Sequence, residues 1–289
     1  MVSEIEFVKG HGAQNDFVLI PDPDATMPGL VDGRVADSLI RSLCDRRTGI
    51  GADGVLRVVR SANHPDAAAH LDGAALPEWF MDFYNADGTA GEMCGNGLRV
   101  FARYLAAAEL AEPTKTGIPI GTRAGVKTAT FGDDASITVD MGVASVIRDD
   151  LHVSVPGHSW AATSVDVGNP HLVAVVDDVE EAGDLLAAPV WTPAEGMPHG
   201  ANVEFVQLLG PAHVRIRVHE RGVGETKACG TGACAAALVA SSTLELPARV
   251  RVDVPGGTLF VTLQEDGRAL LTGPAELTFF GRLPVAEIR

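Results

Sequence analysis

The alternation of apolar and polar residues predicts a chain made mainly of short β-strands, interrupted by a few helices. Segments such as Glu4–Lys9 and Val214–His219 alternate with a period of two residues, which is typical of half-buried strands. Two helices are predicted directly after Cys94 and Cys229. The first has apolar residues at i, i+3 and i+4 spacing (Leu98, Phe101, Tyr104, Leu105 and Ala108), and the second is an alanine-rich run over residues 233–240.

The predicted elements follow the same order in both halves of the chain. The first half has strands at 4–9, 15–20, 55–60 and 78–84 and around Ile118, Val126 and Ile137, with helices at Arg34–Leu43 and after Cys94. The second half has strands at 151–155, 161–167, 171–176, 202–208 and 214–219 and near Val250, Leu259 and Leu270, with helices at Glu180–Ala187 and after Cys229. This order predicts an internal duplication, and therefore an α/β (α+β) fold of two pseudo-symmetric domains, residues 1–140 and 141–276.

Each half carries one copy of a short cysteine motif, Cys94-Gly95-Asn96-Gly97 and Cys229-Gly230-Thr231-Gly232. Both copies open a predicted helix, where the first backbone N–H groups lack intrahelical partners and the helix dipole is positive. Because such a position stabilises a thiolate, we expect the pKa of each thiol to be lowered. The glycines also let backbone amides approach an anion closely. The duplication therefore predicts one site with two facing, reactive thiols beside a carboxylate cradle.

Composition narrows the classes of function. The chain has 289 residues, of which 46% are hydrophobic, and a formal net charge of -16. This balance disfavours binding to nucleic acid or to an anionic membrane, because both partners require a basic face. The N-terminus lacks the basic start and apolar core of a signal peptide, and no apolar run approaches the length of a membrane span. We therefore expect a cytoplasmic protein.

The remaining motifs point to structure rather than chemistry. Four cysteines in a chain of this kind do not form a disulfide framework, and no spacing typical of zinc ligands occurs, so no metal is expected. Cys44 and Cys234 are predicted to be core residues. The run Gly49-Ile-Gly51-Ala-Asp53-Gly54 matches the dinucleotide-binding fingerprint, but it leads into a strand instead of opening a helix, which argues against nucleotide binding.

Four segments together resemble the diaminopimelate epimerase family. They are His11 to Phe17, Asn85-Ala-Asp-Gly-Thr with the Cys94 motif, Gly168-Asn169-Pro170-His171, and Glu220-Arg221 leading to the Cys229 motif. The resemblance covers essentially the whole chain. It implies domains whose strands wrap around a central helix, with residues 277–289 returning to the first domain. It also implies interconversion of LL- and meso-2,6-diaminopimelate, in lysine and peptidoglycan precursor synthesis, by a homodimer that uses no pyridoxal phosphate or other cofactor.

The family's mechanism, placed on the matching positions, assigns roles to further residues. One cysteine would remove the α-proton as a thiolate while the other delivers a proton to the opposite face. The reacting end of the substrate would be held by Asn15 and by amides of Gly95, Asn96, Gly230 and Thr231, and the distal end by Asn85, Asn169, Asn202 and Arg221. Glu220 and His171 would tune the thiols or assist proton movement, with Glu220 also near the substrate. Some members have glutamine where this chain has Gly54, so one amide contact is expected to be absent or supplied by water.

Three alternatives remain at the level of sequence. A proline-racemase-like enzyme shares the logic of two facing cysteines but does not need the residues assigned to a distal substrate end. A single-thiol acyl transferase or hydrolase, with His171 activating one cysteine, would tolerate loss of the other cysteine and accumulate an acyl-enzyme. A non-catalytic amino-acid-binding module would use the helix starts to hold carboxylates and would keep its affinity without either thiol.

Overall fold

The computed structural model describes residues 4–70, 76–244 and 249–284. Its strands are, in chain order, β1 (Glu4–Gly12), β2 (Asn15–Pro21), β3 (Leu30–Val31), β4 (Arg34–Val35), β5 (Gly54–Arg60), β6 (Trp79–Asn85), β7 (Ile118–Thr122), β8 (Gly125–Phe131), β9 (Ile137–Val143), β10 (Ser145–Val155), β11 (His158–Asp166), β12 (Pro170–Val176), β13 (Val190–Thr192), β14 (Asn202–Gly210), β15 (His213–Glu220), β16 (Gly224–Glu225), β17 (Arg249–Val254), β18 (Gly257–Leu263), β19 (Arg268–Gly273) and β20 (Glu276–Pro284). Its α-helices are α1 (Asp37–Cys44), α2 (Ala67–His70), α3 (Gly95–Ala107) and α4 (Gly230–Leu244). Short 3₁₀ helices occur at Ser61–Asn63, Val179–Ala182 and Ala194–Gly196.

The chain divides into two compact units. Unit 1 contains Met1–Val139 and Pro274–Arg289, and unit 2 contains Asp140–Gly273. In unit 1, β1 pairs antiparallel with β2 and β20, β2 runs parallel to β5, β5 pairs antiparallel with β6, and β6 runs parallel to β7. The helix α3 lies between β6 and β7 in the chain and contacts β1, β2, β5, β6, β8 and β20. Strands of unit 1 therefore surround one central helix.

Unit 2 repeats this topology. Here β11 pairs antiparallel with β10 and β12, β12 runs parallel to β14, β14 pairs antiparallel with β15, and β15 runs parallel to β17. The helix α4 lies between β15 and β17 in the chain and contacts β11, β12, β14, β15, β17, β18 and β19. The matching order of strand pairings confirms the α/β fold with an internal duplication.

The two central helices bury different sequence patterns. In α3 the predicted stripe is correct for Leu98, Phe101 and Leu105, which are fully buried, whereas Ala108 lies just after the helix end and is exposed. In α4 the small side chains over 233–237 are buried all round. A helix that is enclosed on every side needs no polar face, and this explains why the second helix shows no amphipathic period.

Two predicted helices need correction. The helix predicted at Arg34–Leu43 begins only at Asp37, because Arg34–Val35 forms β4 and pairs with β3. The helix predicted at Glu180–Ala187 is wrong, since only the 3₁₀ turn Val179–Ala182 is helical. Gly183 follows this turn with a φ of 72° and Leu185 has a φ of 48°, left-handed conformations that end a right-handed helix.

A buried ionic cluster lies in unit 1 and consists of Asp22, Arg57, His64, Asp82 and Arg123. The Arg57 guanidinium is fully buried and donates from Nε to Asp22 Oδ2 (2.8 Å) and from Nη1 to Asp82 Oδ2 (3.2 Å). Asp82 also accepts from Arg123 Nη2 (2.5 Å), and His64 Nε2 lies 3.1 Å from its Oδ2. Burial alone would raise the pKa of Asp82, but His64, Arg123 and Arg57 together hold that pKa below its ordinary value.

None of the helices described in this chain is long and apolar enough to cross a membrane.

Candidate active site

Cys94 caps the start of the central helix of unit 1. Its backbone is extended (φ -139°, ψ 118°), and its Sγ accepts a hydrogen bond from the Gly97 N–H at 3.4 Å. The Cys94 carbonyl accepts from the Leu98 N–H at 2.7 Å, which closes the first helical turn. The sulfur therefore occupies the position in which a serine or aspartate oxygen usually caps a helix, and it faces the positive end of the helix dipole.

Asn15 and Asn96 lie beside this thiol. The Asn15 Oδ1 accepts a hydrogen bond from Asn96 Nδ2 (3.1 Å) and lies 3.8 Å from Cys94 Sγ. On its other side, Asn15 Nδ2 donates to Asp53 Oδ2 (2.8 Å), which fixes the orientation of the amide. Arg46 Nη2 in turn donates to Asp53 Oδ1 (2.7 Å). The carboxylate of Asp53 thus directs the Asn15 oxygen, rather than its nitrogen, toward the sulfur.

Cys229 holds the corresponding place in unit 2. It directly precedes α4, and its Sγ accepts from the Gly232 N–H at 3.3 Å and lies 3.4 Å from Thr231 Oγ1. The residue is only 6% exposed. Burial, followed by the carboxylates of Glu220 and Glu204, raises the pKa of Cys229 well above its ordinary value, although Thr231 and Gly232 act in the opposite direction.

The expectation of a lowered thiol pKa is therefore wrong for Cys229. The helix start is present, as the sequence indicated, and its N–H group does reach the sulfur. A helix terminus lowers a thiol pKa only where desolvation and nearby anions do not oppose it. In unit 2 both oppose it, so Cys229 is held as the protonated thiol.

A buried histidine and glutamate lie next to the Cys229 helix start. His171 and Glu204 are both fully buried, and His171 Nδ1 lies 2.7 Å from Glu204 Oε1. The other ring nitrogen, Nε2, lies 2.9 Å from Asn169 Oδ1. Because a carboxylate oxygen accepts, Nδ1 carries a proton and donates to Glu204. Two of the residues predicted for the site, Asn169 and His171, are thereby joined to a third that the sequence analysis did not select.

Asn202, Glu220 and Arg221 lie in the same unit. Asn202 pairs with His171 across the parallel strands β12 and β14, and its Oδ1 accepts from the Arg221 backbone N–H (2.9 Å). The exposed Arg221 guanidinium donates from Nη1 to the His199 carbonyl (2.8 Å). Glu220 Oε1 accepts from the Thr226 hydroxyl. Strand pairing and hydrogen bonds in unit 2 thus connect Asn169, His171, Asn202 and Arg221, and Glu220 lies close enough to Cys229 to act on its pKa.

Asn85 and Gly54 differ from the other predicted positions. Asn85 is exposed at the end of β6, and its Nδ2 donates to Thr89 Oγ1 (3.0 Å) within its own turn. It pairs with Gly54 across β5 and β6, so the hydrogen bonds of its side chain do not tie it to the Cys94 helix start. At Gly54 an added Cβ would lie 2.5 Å from the Tyr84 carbonyl oxygen. A glutamine at this position would therefore require the backbone of β6 to move.

Sequence reasoning missed Asp53, which orients Asn15 beside Cys94, and Glu204, which lies against the Cys229 helix start. Asp53 lies in the glycine-rich run that was considered only for nucleotide binding, and Glu204 lies within an apolar strand. Cys44 and Cys234, in contrast, are buried as predicted. Among the residues that the structure describes, no group of three or more histidine, cysteine, aspartate or glutamate side chains is arranged to hold a metal ion.

A model of the family described as diaminopimelate epimerase matches residues 7–147 and 163–278.

The chain belongs to the diaminopimelate epimerase family.

Curated relatives that are named diaminopimelate epimerase match nearly the full length. The protein of Streptomyces coelicolor is 47% identical, and the match covers 99% of this chain and 98% of that protein. The protein of Thermobifida fusca is 42% identical over 99% of this chain and 100% of its own length. That of Corynebacterium glutamicum is 42% identical over 97% of this chain and 99% of its own length. The relationship therefore includes both units.

Solved structures of other enzymes share the diaminopimelate epimerase-like fold. A hydroxyproline epimerase from Agrobacterium vitis has a TM-score of 0.65 at 17% identity, covering 99% of this chain and 94% of that chain. A phenazine biosynthesis protein of the PhzF family from Bacillus anthracis has a TM-score of 0.68 at 13% identity, covering 97% and 99%. At such identities the likeness shows the fold alone. It gives no support to the proline-racemase-like alternative, whereas the full-length relatives at 42–47% identity are diaminopimelate epimerases.

Proposed function

We propose that this chain interconverts LL- and meso-2,6-diaminopimelate by transferring protons between two cysteines and the α-carbon, without a cofactor. The observation that carries the proposal is that each duplicated unit places its cysteine at the start of its central helix, with the sulfur bound to the N–H three residues later. The full-length relatives named diaminopimelate epimerase support the choice of substrate. The two compact units support an assignment of two duplicated epimerase-like domains.

The chemistry requires two groups in opposite protonation states. Inversion of a carbon needs a base that removes the α-proton from one face and an acid that protonates the other face. Cys229, held as a thiol by burial and by its neighbouring carboxylates, is suited to be the first proton donor. Cys94 is then the base of that direction, and after one turnover the two residues have exchanged roles. The mechanism requires both sulfurs to reach opposite faces of the same α-carbon.

The helix starts supply the stabilisation that the carbanion needs. As the proton leaves, negative charge moves into the adjacent carboxylate, and preorganised N–H donors stabilise that charge more than they stabilise the ground state. The sulfurs take the N–H groups of Gly97 and Gly232. The earlier residues of each first turn, namely Gly95, Asn96, Gly230 and Thr231, are those whose N–H groups an α-helix does not itself use. We assign them to the α-carboxylate.

The distal amino-acid end of the substrate is assigned to the polar residues of unit 2 and to Asn85. The Arg221 guanidinium is exposed and has a planar fork of donors that matches a carboxylate. Its backbone is held by Asn202, which limits the positions that the guanidinium can reach. Asn169 and Glu220 complete this group of acceptors and donors. The homodimer implied by the resemblance, and the cytoplasmic location expected from the sequence pattern, stay predictions.

Proton exchange in heavy water tests this proposal. The purified chain is incubated with LL-diaminopimelate and, separately, with L-proline, without added cofactor, and α-deuterium and configuration are followed by NMR and chiral chromatography. We expect inversion with deuterium incorporation for diaminopimelate alone. Exchange with proline and none with diaminopimelate would transfer the assignment to an amino-acid racemase. Binding of diaminopimelate without exchange of its α-proton would instead support the non-catalytic binding module.

Asp53 offers a test of how Asn15 is positioned. We expect Asp53→Ala to lower kcat/KM about tenfold, because the Asn15 amide loses the acceptor that fixes its orientation and a small misplacement at a reacting centre is costly. The side chain of Asp53 is 42% exposed, so Tm should change little. Steady-state kinetics measure kcat/KM, and thermal melting measures Tm. Asp133→Ala, which replaces an exposed aspartate in a turn, is the control. An Asp53→Ala enzyme with the wild-type kcat/KM would contradict this role.

A further inference from the structure

The residues that pack beneath the start of the cysteine helix differ between the two units, although the two helix starts are otherwise equivalent. In unit 1, Phe17 on β2 pairs with Gly54 on β5, and Leu56 follows two residues later. In unit 2, His171 on β12 pairs with Asn202 on β14, and Glu204 follows two residues later. Because both strand pairs are parallel and both precede the cysteine helix in the chain, the Phe17 and Leu56 pair corresponds to the His171 and Glu204 pair.

The surroundings of the capping glycines support this correspondence. An added Cβ at Gly97 would meet Leu56 Cδ2 at 3.2 Å, Cys94 Cβ at 3.5 Å and Phe17 Cζ at 3.5 Å. An added Cβ at Gly232 would meet Glu204 Oε1 at 2.6 Å and both Cβ and Sγ of Cys229 at 3.3 Å. The carboxylate oxygen and the sulfur thus lie within 3.3 Å of one point. Beneath the capping glycine, unit 1 therefore has the apolar side chains of Leu56 and Phe17, whereas unit 2 has the carboxylate of Glu204.

Glu204 is held in a way that leaves part of its carboxylate uncompensated. Its Oε1 binds His171 Nδ1 at 2.7 Å. Its Oε2 is buried and has no hydrogen-bond partner among the residues that the structure describes. A buried carboxylate with an unpaired oxygen is costly, and such groups are found where their charge or chemistry is used. The Cys229 thiol, which can itself become an anion, lies beside this carboxylate at Gly232.

We propose that Glu204 is a positioning residue for Cys229, whose buried carboxylate orients His171 and disfavours negative charge on the sulfur, so that Cys229 rests as the proton donor. The proposal rests on the proposed function in one respect only, namely that the proton held by Cys229 is the one delivered to the substrate. Glu220, at the end of β15, is the other carboxylate that acts on Cys229, and His171 on β12 is the neighbouring base. The raised pKa of Cys229, to which Glu204 contributes, is in accord with this geometry.

The test measures the thiols directly and needs no substrate, so its outcome is independent of whether the chain acts on diaminopimelate. Wild type and Glu204→Gln are treated with iodoacetamide over a range of pH, and alkylation of Cys229 is measured by mass spectrometry relative to Cys94 in the same molecules. Fragment ions separate Cys229 from Cys234. Glutamine keeps the shape and an acceptor for His171 but removes the charge. We expect relative alkylation of Cys229 near pH 8 to rise about tenfold, as for a pKa lowered by about one unit.

Two further variants separate charge from structure. Glu204→Asp keeps the carboxylate and should leave the ratio of Cys229 to Cys94 alkylation near that of wild type. Glu180→Gln removes an exposed carboxylate elsewhere in unit 2 and should change nothing. An unchanged ratio in folded Glu204→Gln would overturn the proposal. So would an equal rise at Cys94, or a Glu204→Asp protein that behaves like Glu204→Gln.

A double variant keeps the proposal testable if Glu204→Gln does not fold. His171→Phe with Glu204→Leu copies into unit 2 the pair that unit 1 packs beneath Gly97. Circular dichroism and thermal melting establish that the protein is folded. We expect relative alkylation of Cys229 to rise in this protein as well, because the carboxylate is gone. A ratio equal to that of wild type in the folded double variant would also overturn the proposal.

Discussion

Replacing either Cys94 or Cys229 with alanine is expected to lower the rate of α-carbon inversion at least about a thousandfold, because one face of the carbon then has no proton donor or acceptor. Each sulfur is bound by a helix N–H and is therefore fixed in place, so the remaining thiol cannot move to serve both faces. Chiral chromatography of the product measures inversion, and NMR in heavy water measures α-proton exchange. Exchange that persists with retained configuration would show the remaining thiol acting alone.

The two core cysteines provide the control for this experiment. Cys44→Ala and Cys234→Ala remove buried thiols that lie away from the capping positions, so both proteins should invert the substrate while losing some stability. Inversion at the wild-type rate by Cys94→Ala or Cys229→Ala would exclude a two-thiol mechanism. If the enzyme tolerates the loss of one of these two cysteines but not of the other, and an acyl-enzyme can be trapped, the single-thiol transferase or hydrolase would be supported.

Asp82→Asn is expected to lower the free energy of unfolding by about 3–5 kcal/mol, since breaking a buried ion pair leaves the partner charges uncompensated. The Asp82 side chain is fully buried and accepts hydrogen bonds from Arg57 and Arg123, and one of its oxygens lies next to His64 Nε2. Urea denaturation followed by circular dichroism measures the change. Asp24→Asn, which removes an exposed partner of Arg60, is the matched control and should change the midpoint little.

The effect of Asp82→Asn on the free energy of unfolding should also depend on pH. The pKa of Asp82 is lowered in the folded chain, so its stabilising contribution is complete above the ordinary aspartate pKa of about 4 and is lost as pH falls through the folded value. The difference in unfolding free energy between wild type and Asp82→Asn should therefore be constant near neutral pH and shrink below about pH 4. A difference that stays constant down to pH 2 would show that the carboxylate contributes packing rather than charge.

Much of the fold follows from local pattern. The repeated order of strands, the two helices after Cys94 and Cys229 and the burial of Cys44 all depend on periodicity and turn residues, which are visible in the sequence. The helix predicted over residues 180–187 fails for an equally local reason, because Gly183 and Leu185 adopt left-handed conformations. Helix propensity did not reveal this, since only the backbone shows that Leu185 has a positive φ.

The site was less predictable because its electrostatics depend on burial. Alternation along β14 places Asn202 and Glu204 on one face, which by itself would be typical of an exposed polar face. Residues 202–206 of this strand are instead all buried, so both of its faces are covered at this end. A sequence does not show that an acidic residue is enclosed on all sides, and for the same reason it did not show that the pKa of Cys229 is raised.

The difference between the two pairs beneath the capping glycines bears on the history of a duplicated chain. Two identical half-chains would give both thiols the same surroundings, and neither would have a reason to hold the proton at rest. A single chain with two copies can change one copy without the other. Phe17 and Leu56 in one copy, and His171 and Glu204 in the other, are a divergence of this kind. A duplicated chain can thereby hold its two thiols in unequal surroundings.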